Sequence, residues 1–129
     1  MASLANRRSL MVLYSDKVSP LGHAVRIVLA EKDVNVEINY TDDETKPEIL
    51  NELNPYNSIL TLIDRDLVLY DPQIIMEYLD ERFPHPPLMP VDPVSRASNR
   101  QLRYRVMNDL YSAICDIDSD NESDNESDN

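Results

Sequence analysis

One cysteine, Cys115, is all the chain carries, so neither an internal disulfide nor a cysteine-based zinc site can form. Histidine is almost as scarce. His23 and His85 are the two present, and no Cys or Asp/Glu cluster stands at ligand spacing around His85, so no metal site is expected. No run of about 18 apolar residues occurs, and a membrane-spanning helix is not expected. The opening MASLANRRSL has two arginines but lacks the apolar core of a secretory signal, which makes the cytoplasm the expected compartment. Basic residues are also short: 12 Lys and Arg stand against 24 Asp and Glu, a formal charge of −12. Phosphate binding needs a basic surplus, so nucleic acid is a poor direct partner. A basic protein surface would be attracted instead.

The 129 residues suffice for one compact domain. The negative charge is uneven. Seven acidic and no basic residues follow from Asp116 onward, which leaves 17 acidic against 12 basic residues before it, a net of −5. The end, SDNESDNESDN, repeats Ser-Asp-Asn-Glu and has nothing to bury, so residues 118–129 are expected to be a disordered acidic tail. It reads either as a solvated terminus or as an acidic docking tag. Residues 1–8 are likewise expected to be disordered.

Between these ends, strand and helix signals alternate. Ser9 to Tyr14, SLMVLY, is a candidate buried strand. Ser19 and Pro20 form a cap and first-turn proline for a helix whose Leu21, Val25, Val28 and Leu29 share a face. Val34 to Tyr40 alternates at period two, as a strand does. A short helix follows, with Thr45 and Glu48 at capping-box spacing. SILTLI and LVLY are two strands joined at Asp64-Arg65-Asp66 as a hairpin. Asp71 and Pro72 cap a helix with Ile74, Ile75, Tyr78 and Leu79 on its apolar face. The order β-α-β-α-β-β-α predicts an α/β, thioredoxin-like mixed sheet over residues 9–83, its first strands parallel and its last pair antiparallel. A proline-rich linker, 84–92, precedes a long helix over 93–117 with Asp92-Pro93 at its start. Its stripe is Leu102, Val106, Leu110, Ala113 and Ile117, with Met107, Tyr111 and Ile114 beside it.

A βαβαββα unit followed by a proline linker and a long helix resembles the N-terminal part of glutathione transferases. HAVRIVLAEK, LNPYNS and above all IIMEYLDERFPHPPLMPV resemble the stringent starvation protein A family, RNA polymerase-associated proteins built on that transferase fold. The resemblance covers roughly residues 7 to 115. That family continues into a full helical domain, so the residues 93–117 helix is expected to be the first of an incomplete C-terminal domain, in a truncated or altered member.

The resemblance implies three requirements for a transferase. One is a hydroxyl or thiol at the start of the first helix, where the helix dipole favours a thiolate. Ser19 stands there, with Tyr14 and Ser15 near, although a serine before proline is also an ordinary helix cap. The second is a cis proline before the third strand; the matching residue is Leu60, for which a cis bond would cost about 2.5–4 kcal/mol. The third is an acid–serine pair at the start of the third helix; the matching pair is Asp71-Pro72, and Pro72 offers neither hydroxyl nor N–H. Catalysis is therefore not expected, and no cofactor is implied. The alternative is a glutathione-binding or transferase-like domain using Ser19.

FPHPPLMP, Phe83 to Pro90, packs four prolines and a histidine into eight residues. Prolines fix φ and hold the chain extended, so the segment is either a rigid connector alone or a connector with a preformed docking edge. The resemblance implies that the Pro84-His85-Pro86 surface contacts RNA polymerase holoenzyme with its primary sigma factor, and on those grounds Pro84, His85 and Pro86, with Tyr78 and Leu88 nearby, are the expected interaction site. It further implies a homodimer or related heterodimer through Leu102, Val106, Met107, Leu110 and Tyr111. The bland alternative is that this face is core whose cover is missing, since a wide uncovered stripe promotes association. The expected role is non-catalytic transcription regulation in starvation or stress.

Overall fold

The structure, a computed structural model, describes residues 10–127, with side chains described through residue 122. The expected disordered N-terminus, 1–8, lies outside the described residues. The chain divides after Pro87 into two compact units.

The first unit is a four-stranded mixed sheet. β1 (Met11–Ser15) pairs in parallel with β2 (Val36–Tyr40) and antiparallel with β3 (Thr61–Asp64), which pairs antiparallel with β4 (Leu67–Leu69), giving the order β2-β1-β3-β4. The parallel pair forms because α1 (Pro20–Glu31) carries the chain back between its two strands. The antiparallel pair closes through Arg65-Asp66, with Asp64 opposite Leu67 and Arg65 at φ 57°. Period-two alternation buries Met11, Leu13 and Ser15 of β1 on one face. Leu62 lies opposite Leu13, and both join Val25 and Leu29 of α1 and Ile75 and Leu79 of α3 (Pro72–Arg82) in one core cluster. Leu50, fully buried in α2 (Glu48–Leu53), lies outside that cluster. Asn54, just after α2, donates to Thr61 Oγ1 at 3.3 Å, which ties the short helix to β3.

Helix starts follow the side-chain chemistry. Ser19 accepts from Gly22 N, and Asp71 accepts from Gln73 N and Ile74 N, each with a proline in the first turn. The expected Thr45 capping box does not form. Pro47 takes the cap position, because a proline disfavours helical φ/ψ at Lys46 and the helix cannot begin earlier. Thr45 instead binds Asp42, donating from N at 2.7 Å and from Oγ1 at 2.8 Å. Those bonds, the backbone one foremost, hold the Asp42 carboxyl below its usual range. Ile74, expected on the apolar face of α3, is 52% exposed, because the buried line runs through Ile75 and Leu79 one position on. The end of α1 closes without glycine. Asp33 takes φ 52°, Val34 N bonds Leu29 O and Asp33 N bonds Ala30 O, the double bond pattern of a left-handed helix stop.

The second unit is helical. α4 (Pro93–Arg105) begins at Asp92, which accepts from Ser95 N at 2.8 Å; that contact keeps the Asp92 carboxyl below its usual range. A π-helical stretch, Val106–Tyr111, follows, and α5 (Ser112–Ser127) continues from it. Three expectations change here. The division after Pro87 falls inside the proposed 84–92 linker, so Pro84 to Pro87 belong to the first unit. The tail expected to be disordered from 118 is helical through Ser127, since no glycine or proline follows Pro93 to stop propagation once the helix is nucleated. The single apolar stripe drawn on an unbroken 3.6 period is interrupted by the π-helical stretch, where Ser112 Oγ bonds the Met107 carbonyl at 3.1 Å. Leu102, Val106 and Leu110 are exposed, and Met107 and Tyr111 are half-buried.

Candidate functional site

The end of β1, the start of α1, the loop before β3 and the start of α3 converge on a cavity of about 350 Å³. Ser19, Leu60 and Pro72, the three positions singled out from sequence, all line it, with Asp16, Gly22, Asp43, Ser58 and Tyr70. A neighbouring hollow of about 380 Å³ shares Asp16 and Asp43 and adds Lys17, Tyr40 and Asp42.

The geometry of a ligand pocket is therefore kept, but its chemistry is altered. Ser19 Oγ accepts from Gly22 N at 3.5 Å, and the Ser19 N–H points to the Asp16 carboxylate at 3.2 and 3.3 Å. A carboxylate of the protein thus occupies the helix start that a thiolate would need. Ser15 is fully buried, its Oγ donating to the Asp16 carbonyl and accepting from Arg26 at 2.8 Å. Arg26 also donates to the Asp16 carbonyl at 2.6 Å and lies 5.4 Å from the Tyr40 ring, so its guanidinium is engaged. Asp71 Oδ1 is spent on the α3 cap, and Pro72 has no N–H to offer. Among the described residues the cis peptide bond is His85–Pro86; none precedes Leu60.

The second candidate is the proline edge. Pro84, His85 and Pro86 are exposed in the first unit, and Leu88, 40% exposed, begins the second. Tyr78 is not free to join them by its hydroxyl, which donates to Asp64 in the β3–β4 turn. Burial first, then that hydrogen bond and the Asp64 charge, push the Tyr78 phenol above its ordinary range, with Arg82 opposing.

Sequence reasoning missed Lys32 and Asp80. The Lys32 side chain is wholly buried, its Nζ 2.7 Å from Asp80 Oδ1 and 2.5 Å from the Pro86 carbonyl oxygen. These partners lie 48 and 54 residues away, and no periodicity or motif links them. Among the described residues no three His, Cys, Asp or Glu side chains converge as metal ligands, and no helix is long and apolar enough to cross a membrane.

Sheet order, helix placement and a cleft at the first helix start define a thioredoxin-like domain of the glutathione transferase class. Residues 13–87 match the family model described as glutathione S-transferase, N-terminal domain, and the chain belongs to that family. It is 58% identical over 114 residues to a stringent starvation protein A homolog of Histophilus somni, covering 88% of this chain and 54% of that one. A stringent starvation protein A homolog of Coxiella burnetii is 54% identical over 108 residues, covering 84% and 52%. Among solved structures, the Tau class glutathione S-transferase of mango, Mangifera indica, superposes with a TM-score of 0.78 at 29% identity, over 87% of this chain and 52% of that one. The chain spans about half the length of the curated relatives it matches.

Proposed function

We propose that this chain is a non-catalytic docking protein of the stringent starvation protein A type. It acts in the cytoplasm in starvation or stress, binding RNA polymerase holoenzyme with its primary sigma factor through Pro84, His85 and Pro86, with Tyr78 and Leu88 at the margins. The observation that carries this reading is the contrast between the two sites. The cleft keeps its shape but lines Ser19, Leu60 and Pro72 with Asp16 and Asp43, two carboxylates that repel the carboxylates of glutathione. The proline edge is exposed, preformed and anchored.

The test is capture of purified holoenzyme by the immobilised chain. His85→Ala is expected to lower recovery several-fold, by roughly the 1–2 kcal/mol an interface contact carries; equal recovery removes the edge from the reading. The second reading, glutathione binding through Ser19, draws on the convergence of Ser19, Leu60 and Pro72 in one cavity. Calorimetric titration of glutathione is expected to give no heat of binding. Micromolar affinity, lost in Ser19→Ala, would reverse the order of the two readings.

A further inference from the structure

We propose that Lys32 and Asp80 are positioning residues for the proline edge: the buried ammonium holds the Pro86 carbonyl and thereby sets the conformation that a protein partner reads. This rests on the docking role proposed above for that edge.

The chain chemistry of the edge makes such an anchor necessary. Pro84, Pro86 and Pro87 have no N–H, and the Phe83 N–H is already given to the Leu79 carbonyl. A segment so poor in donors is fixed chiefly through its carbonyls, and the donor must come from elsewhere. Lys32 provides it. It sits at the C-cap of α1, just past Glu31, where the left-handed Asp33 and the paired carbonyl bonds stop the helix, and its side chain is buried.

A wholly buried lysine is rare unless paired, and Asp80, with its side chain 18% exposed, supplies the counter-charge at 2.7 Å. Replacing a buried ion pair by apolar residues of similar volume is often neutral or stabilising, so stability alone is a weak reason for the pair. What the ion pair supplies, and an apolar pair cannot, is a directed donor to the backbone of the edge. The end of α1, the last turn of α3 and the edge are thereby joined at one atom, Lys32 Nζ.

The measurement uses the full chain with three readouts: thermal midpoint, the NMR resonances of the His85 amide and ring, and affinity for purified polymerase holoenzyme. Lys32→Met with Asp80→Asn removes both charges while keeping the stem buried. The double variant is expected to stay folded, to shift and broaden the His85 resonances, and to bind holoenzyme about tenfold more weakly, as when roughly a tenth of the edge remains competent. Lys32→Met alone, which removes the bond to the Pro86 carbonyl and leaves only the partly exposed Asp80 carboxylate without its partner, is the fallback if the double variant does not fold, and is expected to shift the His85 resonances in the same sense. Unchanged His85 resonances in a folded variant overturn the proposal, whatever the affinity. A weaker affinity matched by a core variant of equal midpoint, such as Val28→Ala, overturns it too. If the wild-type chain captures no holoenzyme, the docking role falls, while the His85 resonances still decide whether Lys32 sets the edge.

Discussion

Gly22 is the single glycine of the chain, and its surroundings give the reason. A Cβ there would stand 2.9 Å from Ser15 Oγ and 3.1 Å from Asp16 Oδ1. Neither neighbour can yield cheaply, since Ser15 Oγ is held by Arg26 and Asp16 carries the Ser19 N–H. Alanine would gain about 1 kcal/mol of helix propensity, but crowding a packed site costs about 1–3 kcal/mol. Gly22→Ala is therefore expected to lower the thermal midpoint by several degrees, roughly 4–8 °C for each kcal/mol in a domain this small. A melt followed by circular dichroism checks this, and a raised midpoint would mean that Ser15 moves aside freely. Gly22 itself is helical, and the left-handed positions among the described residues, Asp33, Asn57 and Arg65, are met without glycine, so the backbone strain there is carried by polar side chains.

Between elements, Tyr78 of α3 and Asp64 at the β3–β4 turn form the link most open to titration. The neutral phenol is favoured in the folded state, so its pKa lies above the unfolded value of about 10. That contribution is fully present below about pH 10 and is lost as pH rises through the folded value. Urea unfolding at pH 9 and pH 11 should show a larger loss of stability in the wild type than in Tyr78→Phe; parallel losses would remove the link. Elements were legible where chemistry is local. Ser19-Pro20, Asp71-Pro72 and Asp92-Pro93 each announce a helix start, and all three form one. Thr45 misled because Pro47, two residues on, governs where α2 can begin. The pocket positions Ser19, Leu60 and Pro72 came from a family pattern and do share a cavity. Lys32, Asp80 and Pro86 were illegible, because a contact across 48 or 54 residues leaves no trace in periodicity.

At the scale of the whole molecule, the long helix of the second unit carries an exposed apolar face. Leu102, Val106, Leu110, Ile114 and Ile117 are 43–61% exposed, an apolar surface suited to a second copy of the chain. We propose a dimer through this face. Sedimentation should show concentration-dependent dimer for the wild type and a shift toward monomer for Leu110→Asp; a wild type monomeric at every concentration would retire the idea. The π-helical stretch at Val106–Tyr111 shapes that surface further. A π turn spends one residue more than an α turn, so the helix phase slips by about 100° across it. Leu102 and Ile117 thus face different compass bearings along the same rod. A flat neighbour seated against one bearing leaves the other wet, and covering both requires a mate that wraps, or two mates.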